Sequence, residues 1–188
     1  MRSLESRIML ATVGVVTLAL TSCSSYHSRD TSYTSAQKAE SRSSLPANYA
    51  SRLPQTMQTH GKRVVLVDPK VHAWGAYDSS GKLIKAGLAT AGGYYCKDVG
   101  RACKTPAGTF RINSLGAASC KSSLYPKPNG GAPMPYCMFF NKNIGFHGSA
   151  YVMEGNQSHG CVRMKVADAE WMRYNFAKIG TKVIVKPY

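Results

Sequence analysis

Short β-branched and aromatic runs, most of them ended by glycine, proline, asparagine or aspartate, are the feature that most limits how this chain folds. These runs predict strands at 63–68, 71–77, 82–93, 108–115, 136–140, 144–147, 161–164 and 182–185. One helix is predicted over 166–176, where Ala167, Trp171 and Tyr174 recur at helical spacing. Many short strands with one late helix indicate a mostly-β single domain over residues 63–188.

Residues 1–22 have the features of a bacterial export signal. Arg2 and Arg7 flank the start of an uncharged run, residues 8–20, which is short for a membrane span but suits a signal peptide. The run leads into Leu20-Thr21-Ser22-Cys23, which resembles the lipobox of bacterial lipoproteins. That resemblance implies cleavage before Cys23 and acylation of this cysteine. The alternative is an ordinary secretory signal that contains a cysteine.

Residues 23–62 are predicted to be a flexible tether between a membrane and the globular domain. They are rich in serine and threonine and poor in aliphatic residues, so they bury too little apolar area to offset the entropy of ordering. Two or three acyl chains on Cys23 would give a stable anchor. Ser24, where an aspartate would resemble an inner-membrane retention signal, favours the outer membrane of a Gram-negative envelope.

The charge of the chain indicates an anionic partner. It has 24 lysines and arginines against 9 acidic residues, a formal net charge of +15 over 188 residues. Nucleic acid, an anionic membrane face and an acidic polymer all attract such a protein. The cations form no dense run, and no zinc-finger, P-loop or RNA-binding motif accompanies them. We therefore expect no binding to nucleic acid, whereas a polyanionic cell wall fits.

The cysteine count predicts one free thiol. If Cys23 carries lipid, five of the six cysteines remain, and an odd number in an oxidising compartment suggests a reactive thiol. The natural division is four structural cysteines and Cys161. Three pairings of the four are possible, and we favour Cys96–Cys103 with Cys120–Cys137 because these close the shortest loops. Each short loop closed would stabilise the fold by roughly 2.5–3 kcal/mol.

Cys161 and two histidines supply the minimum equipment for nucleophilic attack on a carbonyl. A nearby imidazole lowers the pKa of a thiol toward working pH and returns the proton to the leaving group. His159 is two residues before Cys161, which along an extended segment is about 6–7 Å and long for direct proton transfer. His147 lies on another segment and can approach across strands. We therefore favour His147 as the base.

The neighbours of these residues suggest supporting roles. Gly148 offers a backbone carbonyl that can orient His147, and amides around Gly160 and Cys161 can form an oxyanion hole. Arg163 projects to the same face as Cys161 and can bind a carboxylate. Two other interpretations are a buried structural cysteine and a zinc site made by His147, His159 and Cys161. Zinc is disfavoured because no fourth ligand is evident, so we expect no metal.

Three segments together resemble a known family. They are Ser158-His159-Gly160-Cys161-Val162-Arg163-Met164, Ile144-Gly145-Phe146-His147-Gly148 and Thr105-Pro106-Ala107-Gly108-Thr109-Phe110. In this order they look like the L,D-transpeptidase catalytic domain of the YkuD type, and the similarity covers about 63–188. The resemblance implies a β-sandwich of short strands with one or two helices. It also implies Cys161 as nucleophile, His147 as base oriented by Gly148, and a site completed by Ser158, His159 and Gly160.

The resemblance implies acyl transfer on peptidoglycan stem peptides, without a cofactor. Cys161 would attack the carbonyl before a terminal D-alanine, and an amine of a diamino acid on another stem would resolve the thioester. Arg163, where the family often has asparagine, would bind a substrate carboxylate. One alternative is an L,D-carboxypeptidase or endopeptidase that hydrolyses the same bonds. Another is a non-catalytic wall-binding lipoprotein. The expected location is the periplasm, with the protein anchored by lipid.

Overall fold

The computed structural model describes residues 48–188, so the predictions for the signal peptide, Cys23 and most of the tether lie outside the described residues. The described part contains nine strands: β1 (Val64–Asp68), β2 (Ala73–Tyr77), β3 (Leu83–Leu88), β4 (Gly108–Arg111), β5 (Ser114–Leu115), β6 (Met138–Asn141), β7 (Ile144–Gly148), β8 (Val162–Met164) and β9 (Lys182–Val185). Helix α1 (Val166–Trp171) continues into a π-helical turn at Met172–Phe176. Within residues 48–188, no helix has the length and apolar character needed to cross a bilayer.

The strands form two sheets. One has five strands in the order β3-β2-β1-β9-β4, and the other has four in the order β5-β6-β7-β8. Two strand pairs are parallel, β1 with β9 and β7 with β8, and the other pairs are antiparallel. The mostly-β fold of short strands with one helix is confirmed.

Strand β1 is buried on both of its faces, which explains its unbroken apolar sequence. Val65 and Val67 belong to the main core, which also contains Phe146 and Val162 of the second sheet. Val64 and Leu66 project to the opposite face and join a smaller apolar cluster. The five-stranded sheet is therefore the middle layer of the domain, with the four-stranded sheet and the helix against one face.

The segment before β1 covers the second face of the five-stranded sheet. Tyr49–Arg52 forms a 3₁₀ turn, and Leu53 is 5% exposed within the smaller cluster. Tyr77 Oη donates a hydrogen bond of 2.8 Å to Pro54 O. The packed domain thus begins before the predicted boundary at residue 63, because Leu53 buries apolar area that the polar composition of the segment conceals.

Two predicted elements differ in detail. The strand predicted over 108–115 is two strands, since β4 pairs with β9 and β5 pairs with β6 of the other sheet. Ile112, 1% exposed, lies in the core where the chain passes between sheets. The helix is present, but its buried residues are Ala169, Met172 and Phe176 rather than a face through Ala167 and Tyr174. Ala169, Met172 and Phe176 follow the i, i+3, i+7 spacing of one helical face, so the face that packs on the core is rotated from the predicted one.

Candidate active site

The parallel pairing of β7 and β8 brings the predicted nucleophile and base to one face of the small sheet. His147 lies opposite Arg163, and Phe146 lies opposite Val162. Phe146 and Val162 enter the core, so alternation places His147, Arg163 and, two residues earlier, Cys161 on the other face. Diagonal neighbours on adjacent strands have Cα atoms about 8 Å apart, which lets an imidazole and a thiol converge.

The imidazole of His147 is held in a defined orientation. Its Nδ1 lies 2.8 Å from Gly148 O, so Nδ1 carries the proton and donates it while Nε2 is left as the basic nitrogen. Burial lowers the pKa of His147, although the hydrogen bond to Gly148 opposes this and the charge of Arg163 adds to it. His147 is therefore neutral at pH 7 and able to accept a proton.

Gly148 fills a position where a side chain would push its neighbours apart. A Cβ there would lie 3.0 Å from Val166 Cα and 3.1 Å from Pro135 Cγ. Its N–H donates a 2.8 Å hydrogen bond to Pro135 O. The carbonyl that orients His147 is therefore fixed by close packing on both sides.

Cys161 is the one free cysteine among residues 48–188. Burial raises the pKa of its thiol, while a hydrogen bond from the backbone of Gly145 and the positive charge of Arg163 lower it. Sγ also lies 3.5 Å from Asn143 O, an acceptor for the thiol proton. The resting thiol is therefore protonated, and the reaction needs a base to remove its proton during attack.

Ser158 braces the turn that leads into Cys161. Its side chain is 1% exposed, and its Oγ donates to Cys161 O while accepting a 3.1 Å hydrogen bond from Gly160 N–H. Gly160 has φ of +124°, a backbone conformation that favours glycine. Because the Gly160 amide is already bonded, it is not free to form an oxyanion hole as predicted. The Cys161 amide is the remaining candidate donor.

Thr105 is a supporting residue whose role sequence reasoning missed. It is 1% exposed, and its Oγ1 donates a 2.7 Å hydrogen bond to Gly160 O and accepts a 2.9 Å bond from Gly92 N–H. The hydroxyl thus joins the turn before Cys161 to a neighbouring segment. The motif that begins at Thr105 was the available signal, but only the fold shows which backbone groups the hydroxyl satisfies.

His159 is not brought to Cys161. Its Nε2 lies 2.6 Å from Asp98 Oδ2, and its ring lies 4.5 Å from that of Tyr125 between centroids. This arrangement agrees with the choice of His147 as the base. The role of His159 is then structural, through its contacts with Asp98 and Tyr125. Cys96 Sγ lies within 4.8 Å of the ligand atoms of Asp98 and His159, but this sulfur is in a disulfide and is not a free thiolate.

Two disulfides flank the site. They join Cys96 to Cys103 and Cys120 to Cys137, with Cα–Cα distances of 5.9 and 6.1 Å, the two pairings that the loop lengths favour. Cys96 Sγ lies 3.8 Å from Ser158 O, beside the nucleophile turn. The second loop contains Pro135, which holds Gly148 beside His147. Each disulfide loop therefore supports a different half of the site.

Arg163 connects the reaction centre to the surface. Its charge acts on both Cys161 and His147, and burial lowers its own pKa while leaving it a cation at pH 7. It also lines a groove of about 360 Å³ between the two disulfide loops. The groove leads to the face that carries the thiol.

Known proteins share this fold. The family model for YkuD, the L,D-transpeptidase catalytic domain, matches residues 62–185. No curated protein matches the chain. Among solved structures, residues 123–326 of the L,D-transpeptidase from Xylanimonas cellulosilytica DSM 15894 give a TM-score of 0.60 at 23% identity, over 72% of this chain and 66% of that one.

Two mycobacterial structures have the same fold at lower identity. The L,D-transpeptidase from Mycobacterium smegmatis gives a TM-score of 0.55 at 19% identity, over 67% of this chain and 59% of that one. An L,D-transpeptidase from Mycobacterium tuberculosis H37Rv gives 0.53 at 19% identity, over 66% and 57%. The chain spans less than two thirds of the length of these structures. Because the family model covers most of its packed part, the chain belongs to the YkuD family of L,D-transpeptidase catalytic domains.

Proposed function

We propose that this protein is a peptidoglycan L,D-transpeptidase with Cys161 as nucleophile and His147 as general base. The observation that carries the proposal is the orientation of His147. Its Nδ1–H is committed to Gly148 O, and it occupies the same sheet face as the free thiol. A buried structural cysteine would need no neutral imidazole fixed in this way.

The first half of the reaction is acylation of Cys161. His147 Nε2 accepts the thiol proton as Sγ attacks the carbonyl carbon that precedes the terminal D-alanine of a tetrapeptide stem. The N–H of Cys161 stabilises the developing oxyanion. The C–N bond then breaks, His147 returns the proton to the leaving amine, and D-alanine departs from a thioester on Cys161.

The second half transfers the acyl group to an amine. A neutral amine on the diamino acid of another stem attacks the thioester carbon, the C–N bond forms and the C–S bond breaks. The amine proton passes to His147 and then to the departing thiolate. Arg163, which acts electrostatically on both reacting groups, binds a substrate carboxylate close to the thioester.

We also propose a periplasmic location for this activity, with the protein anchored through lipid on Cys23. Five paired or reactive cysteines besides Cys23 suit an exported protein, and the net charge of +15 suits a polyanionic wall. Mass spectrometry of the purified protein tests the anchor. A diacylglyceryl mass on an N-terminal Cys23 peptide supports it, and an unmodified Cys23 within a longer peptide contradicts it.

Incubation of the full chain in detergent with tetrapeptide muropeptides tests the activity. A new mass of a cross-linked dimer with release of D-alanine supports transpeptidation. Release of D-alanine without a dimer supports the hydrolytic alternative, in which water resolves the thioester. If neither product forms, both enzymatic interpretations are wrong and a wall-binding role remains.

The variants His147→Gln and His159→Gln separate the two histidines. We expect His147→Gln to slow acylation by about 10²–10⁴-fold, the usual contribution of proton transfer by a positioned side chain. His159→Gln keeps the base and should retain most of the acylation rate. Equal losses in both variants would contradict the assignment of His147.

A further inference from the structure

The groove that Arg163 lines has walls built by the two disulfide loops. Asp98 comes from the loop closed by Cys96–Cys103, while Tyr125 and Lys127 come from the loop closed by Cys120–Cys137. His159 and Arg163 come from the segment around Cys161. A volume of about 360 Å³ is at the small end of ligand sites and suits the end of a peptide rather than a polymer strand.

Contacts across the groove hold these walls together. His159 pairs with Asp98 at 2.6 Å and packs on the ring of Tyr125, so it contacts both loops at once. Arg101 Nη2 adds a 3.2 Å hydrogen bond to Tyr125 Oη. The groove is therefore an ordered part of the site, made from chain segments that lie far apart in the sequence.

The charge of the groove is positive. Its one carboxylate, Asp98, is already paired with His159. Lys127 and Arg163 have no acidic partner among the ion pairs of residues 48–188. An unpaired ammonium and an unpaired guanidinium in one groove favour a carboxylate on whatever enters it.

We propose that this groove selects the acceptor, and that it prefers an amine with a neighbouring carboxylate. Lys127 is the specificity-determining residue, and Arg163 assists it at the end nearest Cys161. The inference rests on the proposed function, because the amine must resolve a thioester on Cys161. A carboxylate held in the groove places the adjacent neutral nitrogen next to the thioester carbon. The C–N bond then forms as the C–S bond breaks, and His147 takes the amine proton.

Such an acceptor has two possible sources, a free amino acid or the side-chain end of a diamino acid on a second stem. The chemistry that the groove recognises is the same in both. The test therefore has one arm with glycine against glycinamide, and one with a stem whose diamino acid has a carboxylate beside its side-chain amine against the same stem amidated there.

The experiment measures products of the full chain by mass spectrometry, in equimolar mixtures of each acceptor pair. Glycinamide has the less basic amine and the larger neutral fraction at pH 7, so a preference for glycine reports binding rather than intrinsic reactivity. We expect the unmodified chain to favour the acceptor with the carboxylate in both arms. The glycine arm reports free amino acids, and the stem arm reports cross-linking.

The variant Lys127→Gln should lower this preference about two- to fivefold, the range expected for one solvent-exposed ion pair. Lys121→Gln is the matched control, since Lys121 is an exposed lysine in the same disulfide loop that does not line the groove. It should keep the preference of the unmodified chain. Both lysines are exposed, so neither change threatens folding.

Three results would overturn the inference, and they can be told apart. D-alanine release with no preference between the paired acceptors contradicts selection by the groove. A preference that survives Lys127→Gln, or falls equally in Lys121→Gln, contradicts the role of Lys127. If the unmodified chain releases no D-alanine, the proposed function itself fails and this inference fails with it.

Discussion

The two sheets of this domain differ in the length and burial of their strands. In the five-stranded sheet, every residue of β1 and β2 is buried, and β1 contributes to an apolar cluster on each of its faces. In the four-stranded sheet, β5 has only two residues and β8 only three. Only the second sheet presents a thiol and an imidazole on one face.

The comparison indicates that one sheet contributes most of the stability of the domain and the other carries the residues proposed to react. The five-stranded sheet stabilises the domain through apolar burial on both faces, which is the dominant favourable contribution to folding. Around the four-stranded sheet, individual hydrogen bonds position the two groups: His147 Nδ1 donates to Gly148 O, and the backbone of Gly145 donates to the Cys161 sulfur. Thr105 Oγ1 donates to Gly160 O in the turn before Cys161. Changes in the first sheet should therefore alter the free energy of unfolding, and changes in the second should alter rates.

The largest effect expected is the loss of acylation activity in the variant Cys161→Ser. Acylation should fall by at least about 1,000-fold, because a hydroxyl in place of the thiol is a far weaker nucleophile with the same base. The free energy of unfolding should change by less than about 1 kcal/mol. D-alanine release and urea unfolding measure the two quantities. A large loss of stability would show that Cys161 belongs to the scaffold as well.

The variant Leu66→Ala tests whether the five-stranded sheet contributes to stability without affecting the acylation rate. Leu66 is 3% exposed in the cluster that the N-terminal segment covers, so truncation should cost about 2–5 kcal/mol of unfolding free energy. The acylation rate of the folded fraction should remain that of the unmodified protein. Leu66→Met, which conserves volume, is the control and should cost less than about 1.5 kcal/mol. Slower acylation in folded Leu66→Ala would break the division between the sheets.

Thr105 should affect both the free energy of unfolding and the acylation rate. Thr105→Val removes a buried hydroxyl and leaves Gly160 O and Gly92 N–H without their partner, which should cost about 1–3 kcal/mol. Acylation should also slow, because the turn that positions Cys161 is released. Thr105→Ser retains the hydroxyl but loses the buried methyl group. Its acylation rate should therefore be close to that of the unmodified protein, while its free energy of unfolding should remain lower. Urea unfolding and acylation kinetics of both variants are the measurements, and equal rates in the two would exclude a positioning role.

The smallest effect concerns the reactivity of the thiol with iodoacetamide. Burial raises the pKa of Cys161, so its alkylation rate should still be rising at a pH where an exposed thiol is fully ionised. The charge of Arg163 lowers that pKa, so Arg163→Gln should raise it further and slow alkylation at pH 8. Arg173→Gln, a change of the same type outside the groove, is the control. Faster alkylation in Arg163→Gln would contradict the sign of this interaction.

The same substitution should act on His147 in a predictable direction. Arg163 lowers the pKa of His147, so its removal raises that pKa and moves the acidic limb of the acylation profile to higher pH. Acylation requires the neutral imidazole, and its loss as pH falls should therefore begin earlier in Arg163→Gln. A pH–rate profile of the two proteins measures the shift. An acidic limb moved to lower pH would contradict it.

Local patterns predicted most of the strands but not their partners. The β-branched run at Val64–Asp68 identifies β1 by itself, because a strand buried on both faces has an unbroken apolar sequence. The passage between sheets at Ile112 has no such signal, since strand pairing depends on residues distant in the chain. Leu53 was assigned to a polar tether because one apolar residue does not change the composition of its surroundings.

The sequence was sufficient to propose the reacting residues of the site, but not the hydrogen-bond partners of the residues around them. Strand geometry favoured His147 over His159, and the fixed imidazole of His147 agrees with that choice. The partner of His159 was not foreseeable, because Asp98 lies 61 residues away on a disulfide loop. The Gly160 amide is occupied because the side-chain rotamer of Ser158 places Oγ within hydrogen-bond distance, and no sequence pattern specifies that rotamer.

The crossover between the parallel strands β7 and β8 has a consequence for how such a domain diversifies. Parallel neighbours require a long connection, and here residues 149–161 supply it. The spacing of base and nucleophile is set by the ladder between the strands rather than by the length of this connection. Tyr151, 73% exposed, marks a point where the connection reaches solvent. A segment inserted at Tyr151 would lengthen the connection while the β7–β8 ladder keeps His147 and Cys161 in register, so this crossover is a site where the domain can accept insertions.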